Sequence, residues 1–192
     1  MARDYTARKY IVKQAECYHD TRLTNAITRA FDNIFNNEEP DGCLSKSIAL
    51  HVILRYYGYD PKICYGLCVT PAGHEFYHAW LELDSTVLDL AIYGNSHFSS
   101  YWLEAPIGPV VFEDYNSTLV KYGDHKFDDD WESCMIAQVV RMGSVANYIA
   151  NAPRVHHPSG NGMWKVIFSI LDETYSTAKR NALEQFVSRE AL

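Results

Sequence analysis

No stretch of this chain stays apolar for the roughly eighteen residues a bilayer crossing needs, and Met1-Ala2-Arg3-Asp4-Tyr5-Thr6 lacks the apolar core of a secretory signal. The expectation is a soluble, cytoplasmic protein with no membrane partner. Basic residues are few: 17 Lys and Arg against 24 Asp and Glu leave a net charge of −7. They are scattered, and no block of them tracks a phosphate backbone, which argues against nucleic acid as a partner. Cysteines number five, at 17, 43, 64, 68 and 134. The number is odd and a cytosolic chain keeps thiols reduced, so no disulfide framework is expected. Internal repeats and low-complexity segments are also missing.

What is present is an ordinary globular composition. Hydrophobic residues make up 47% of 192 positions, with 14 tyrosines and four tryptophans, enough apolar material for a real core and against extensive disorder. The simplest organisation is one domain, with a core at about 40–125 and helical flanks at 1–39 and 126–192. Residues 8–18 read as a moderately patterned helix. Residues 23–35 read as a clearer one, with Ile27, Ala30, Phe31, Ile34 and Phe35 on one face. A loop around Pro40 precedes a helix from about Leu44 to Tyr57. That helix is apolar nearly all round (Leu44, Ile48, Ala49, Val52, Ile53, Tyr56), hence central, with Gly58 placed as a left-handed cap. Strand patterns follow at 63–69, 76–83 and 87–92, with Asp84-Ser85 as a tight turn. From 94 to 122 the chain reads as loop-rich, with short strands near 110–113 and 119–122. Asp128-Asp129-Asp130 looks like the start of a helix reaching about Ile149. A last amphipathic helix is expected over 163–188. The order is helices, a small antiparallel sheet, then helices, which indicates the α+β class.

Within that frame three residues suggest chemistry. Cys43 follows Gly42 at a helix start, where unpaired backbone N–H groups and the helix dipole favour the thiolate. The backbone N–H of Cys43 is also placed to hold an oxyanion. If Asp84-Ser85 is a two-residue hairpin turn, Leu83 faces Thr86, Leu81 faces Leu88 and Trp80 faces Asp89. Side chains alternate, so His78, Trp80, Asp89 and Ala91 share one face. His78 and Asp89 are then diagonal neighbours, roughly 7 Å apart in the backbone and within side-chain reach. An Asp that orients a His that pairs with a thiol is a nucleophilic triad. Against this stand bland readings: a buried structural cysteine, a hydrogen-bonded strand histidine and an aspartate that ends a strand.

Gly42-Cys43 leading a buried helix to Gly58, then His78-Ala79-Trp80-Leu81-Glu82-Leu83 and Val87-Leu88-Asp89, resembles the transglutaminase-like branch of the papain-like cysteine fold. The likeness extends over about 40–95 and is nearest to bacterial transglutaminase-like proteins that include the lasso-peptide leader peptidases. It implies Cys43 as nucleophile, His78 as general base and acid, and Asp89 as the orienting carboxylate, on a buried helix packed against a small antiparallel sheet. Asn36, Asn37 and Gln14 lie upstream, where a side-chain oxyanion donor often sits, and Trp80 is a candidate substrate contact. The implied substrate is a peptide or protein, or a small acyl or amine compound, with no metal or organic cofactor. The helix begins Cys-Leu-Ser, a departure from the Cys-Trp common in papains and many transglutaminases, and the flanking helices match nothing familiar.

Other residues have two readings each. Cys64 and Cys68 share a strand face; with His74 and His78 they make a poor zinc set, and strand packing is the alternative. His156-His157 reads as a solvated loop or a ligand contact. Asp128 to Asp130 reads as a helix start or a weak cation cluster. Glu82 reads as a substitute acid partner for His78 or a solvent-facing charge. From another functional class, the same scaffold can serve as a non-catalytic protein-binding module, using an exposed aromatic loop from Tyr93 to Trp102.

Overall fold

A computed structural model describes residues 2–36, 42–98, 107–123, 143–151, 163–171 and 176–188. The chain divides into two compact units, residues 1–126 and 127–192.

The first unit opens with helix α1, Ala2–Ala15. It buries Ala7, Ile11 and Ala15, spaced four apart as one helical stripe requires. A single 3-10 turn, Glu16–Tyr18, closes on His19 in the left-handed region. Helix α2, Thr21–Asn36, is capped by Asp20, whose carboxylate accepts from the Arg22 N–H at 2.8 Å. Its buried face carries Leu23, Ala26, Ile27, Ala30 and Phe31. Helix α3, Cys43–Tyr56, is buried almost without interruption from Ser47 to Leu54, the all-round apolarity that the sequence pattern predicts. Tyr56 departs from that pattern and is exposed. Gly58 holds φ +91°, a conformation that costs a side chain but not glycine.

Five antiparallel strands follow in the order β4-β3-β2-β1-β5. They are β1 Lys62–Val69, β2 Glu75–Leu83, β3 Thr86–Asp89, β4 Val110–Asp114 and β5 Lys121–Tyr122. Asp84 and Ser85 both have positive φ (50° and 64°), the type I′ geometry whose twist suits a two-residue hairpin. The register is therefore the expected one, with Leu83 opposite Thr86 and Leu81 opposite Leu88. Between Val87 and Leu88 the pairing with β4 slips by one residue. Phe112 is the extra residue, at φ +55°, with its ring 4.3 Å from that of Tyr18.

The expected strand over 87–92 is shorter than the pattern suggested. It ends at Asp89, and helix α4 begins at Ala91 and runs to Phe98. The reason is local: Asp89 Oδ1 accepts the Ile92 N–H at 3.0 Å and starts the helix. Tyr93 therefore lies on a helix, 5% exposed, with its ring against Phe31, and does not open an exposed loop. Residues 99–106 lie outside the described residues.

The second unit contains α5 Val145–Asn151, α6 Trp164–Leu171 and α7 Thr177–Val187 among the described residues. The single helix expected over 163–188 is two. Ser176 is extended, and its hydroxyl accepts from the Lys179 N–H to cap α7. Trp164, Ile167, Phe168 and Leu171 are buried in this unit. The acidic run 128–130, Cys134 and His156-His157 lie outside the described residues. No helix among the described residues is long and apolar enough to cross a membrane.

Candidate active site

Cys43 is the first residue of α3. Gly42 precedes it, with its carbonyl accepting from the Lys46 N–H at 2.9 Å to open the helix. A β-carbon at Gly42 would lie 2.9 Å from Ser45 Oγ, so a larger residue crowds the first turn. One turn beyond Cys43, the buried hydroxyl of Ser47 donates to the Ala79 carbonyl at 3.2 Å. This bond sets α3 against β2 at the residue next to His78.

His78 lies on β2, opposite the buried Gly66 of β1. Its ring is fully buried. Nε2 is 2.8 Å from Asp89 Oδ2. An ionised carboxylate only accepts, so Nε2 carries the proton. Nδ1 then presents its lone pair, or a second proton, on the other side of the ring. Nδ1 is buried and makes no hydrogen bond of good geometry, and the Cys43 thiol is the group that acts on the ring from outside the Asp89 pair. Burial works against charge on the imidazole, but Asp89 and then Cys43 outweigh it and push the His78 pKa up to about 10.

Asp89 is 1% exposed, and its carboxylate is saturated. Oδ2 accepts from Tyr122 Oη at 2.8 Å as well as facing His78, while Oδ1 takes the Ile92 N–H. Tyr122 carries no signal in the sequence: it sits on a strand of two residues at the far edge of the sheet. Burial, with Asp89 next, holds its phenol well above the usual tyrosine range.

Trp80 shares the His78 face, as the alternation requires, but it is 2% exposed and its indole N–H already donates to Tyr115 Oη at 3.1 Å. It packs on Tyr122, centroids 4.9 Å apart, and belongs to an apolar cluster with Cys68, Val87 and Ile92. Trp80 is thus a wall of the site, with no free donor for a substrate. Glu82 is not a second acid for His78, because Lys62 Nζ (3.2 Å) and Tyr115 Oη (2.9 Å) take its two oxygens. Gln14 is a half-buried residue of α1. Asn36 ends α2, its side chain outside the described residues, as is all of Asn37.

Two further cysteines lie on β1. Burial and then Glu82 push the Cys64 thiol up to about 11. Burial and then Asp89 hold Cys68 higher still. Such thiols are poor nucleophiles near neutral pH. Among the described residues no group of three or more His, Cys, Asp or Glu is arranged to hold a metal ion.

The family profile described as the transglutaminase-like superfamily matches residues 2–102, more than half of the chain. The chain belongs to the transglutaminase-like superfamily. The match takes in α1 and α2 as well as α3 and the β1–β3 hairpins, so the N-terminal helices, unfamiliar by motif, are part of the family pattern. Comparison with curated proteins and with solved structures found no match. Members of this superfamily are often cysteine hydrolases or acyltransferases. In this transglutaminase-like chain, Cys43, His78 and Asp89 are the candidates for such chemistry.

Proposed function

We propose that this transglutaminase-like chain is a cysteine-nucleophile hydrolase or acyltransferase acting on amide bonds through a thioester on Cys43. The observation that supports the reading is the clasped imidazole. Asp89 holds one ring nitrogen at 2.8 Å, the other is buried without a well-formed hydrogen bond, and the Cys43 thiol helps to raise the ring's pKa. Nδ1 takes the thiol proton. The sulfur attacks the carbonyl carbon, and the oxyanion is met by N–H groups at the start of α3, which have no acceptor within the helix. On collapse the C–N bond breaks and the Nδ1 proton passes to the departing amine. Water then gives a proton to the same nitrogen and attacks the thioester, releasing a carboxylic acid and restoring the thiol. An amine in place of water gives transamidation.

Peptide or isopeptide cleavage is the leading form, in keeping with the resemblance to leader peptidases. For a non-catalytic binding module, a buried His78 Nδ1 without a well-formed hydrogen bond has no use. The test is covalent labelling at neutral pH with a thiol-directed electrophile. Cys43→Ala abolishes the adduct if the reading is right. Labelling that persists, or that falls on Cys64, overturns it.

A further inference from the structure

Tyr122 and Asp89 lie on strands that are far apart in the sheet. Two strands, β1 and β2, separate β5 from β3. Three inter-strand steps span about 14 Å in a flat sheet, and side chains standing perpendicular to it would not meet across that gap. They do meet here, at 2.8 Å, so the sheet curls until its edge strand reaches over the His78 face. The placement of β5 is enforced. Tyr122 pairs with Cys68 on β1, and the Gly123 N–H donates to the Leu67 carbonyl at 2.9 Å. A β-carbon at Gly123 would stand 2.4 Å from that carbonyl oxygen, so only glycine allows the approach.

We infer that Tyr122 is a positioning residue of this site: its phenol O–H, delivered by the edge strand β5, fixes the Asp89 carboxylate in the orientation that holds His78. The catalytic consequence rests on the acyl-transfer reading, but the hydrogen-bond relay itself does not. The backbone N–H of Ile92 engages only Oδ1, so Oδ2, the oxygen that faces His78, has Tyr122 as its second donor. With Tyr122 in place, Oδ2 is aimed by a second donor and its negative charge is held in a site that excludes water. Without it, a buried carboxylate oxygen loses a hydrogen bond and its aim, and Asp89 holds the His78 proton less firmly.

The experiment compares wild type, Tyr122→Phe and Tyr115→Phe. Phenylalanine keeps the ring that packs on Trp80, so the fold is retained, and circular dichroism checks this. Two readouts are followed from acid to alkaline pH: the ring signals of His78 by NMR, and the rate of Cys43 alkylation by iodoacetamide. In Tyr122→Phe the His78 ring loses its second proton about one pH unit lower than in wild type, with alkylation near neutral pH falling about tenfold. Tyr115→Phe, which removes a phenol bonded to Glu82, leaves both unchanged. His78 signals that titrate identically in wild type and Tyr122→Phe overturn the inference, whatever the chemistry at Cys43. A His78 shift as expected beside a Cys43 thiol with the pH profile of an ordinary thiol supports the relay and overturns the acyl-transfer reading instead.

Discussion

Asp89 does three jobs with two oxygens. It ends β3 by capping α4, it accepts from Tyr122, and it holds His78. Replacing it with alanine removes all three bonds and leaves a buried imidazole without its counter-charge. Asp89→Ala should therefore cost about 3–5 kcal/mol of stability, read from urea unfolding. Cys43→Ala should cost far less, because Cys43 is only half-buried and makes no comparable set of bonds. The two variants thus separate a residue that holds the fold from the proposed nucleophile. His78→Gln removes the proton carrier, and hydrolysis of an activated aryl ester should fall roughly a hundred- to ten-thousand-fold, the usual worth of a general base.

At the scale of elements, the hairpin that joins β2 to β3 sets the parity of the site. Ser85 adopts φ +64° without being glycine. Ser85→Gly should stabilise the protein by up to about 1 kcal/mol, seen as a rise in Tm, without altering the register. Gly123→Ala should do the reverse, costing about 1–3 kcal/mol as the β-carbon pushes β5 away from Leu67. These elements also explain what was legible in the sequence. Asp84-Ser85 between two alternating runs is a local signal, and a two-residue turn dictates which side chains face the same way. That is why His78, Trp80 and Asp89 could be placed on one face, and why Cys43 could be placed at a helix start. Other features were not legible, each for a physical reason. Tyr122 reaches Asp89 only because the sheet curls, and a two-residue strand has no periodicity to read. Asp89 as a helix cap looks like the end of a strand in an apolar run. The slip at Phe112 brings its ring onto Tyr18, almost a hundred residues away in sequence. The break at Ser176 is hidden because the apolar pattern continues through it.

Across the whole molecule, charge at the His78–Asp89 pair links stability to pH. The His78 pKa is raised to about 10 in the folded protein, against about 6.5 for an unperturbed histidine. A raised value means the native state binds the proton more tightly than the unfolded chain. Its stabilising contribution is complete below about pH 6.5 and is lost as pH rises through about 10. The urea midpoint of wild type should fall more steeply from neutral to alkaline pH than that of His78→Gln. The helices that flank the motif residues give a second lesson at this scale. Short motifs revealed only 40–95, whereas the family pattern extends over residues 2–102. The buried stripe of Ala7, Ile11 and Ala15 carries no chemistry, and so gives a motif search nothing to find. The account as a whole turns on coupling between one thiol and one imidazole. The measurement that tests it most directly is the pH profile of Cys43 alkylation by iodoacetamide in wild type and His78→Gln. The account predicts that the wild-type thiol reacts well below about pH 8 and that His78→Gln restores the profile of an ordinary thiol. Superimposable profiles for the two proteins would contradict it.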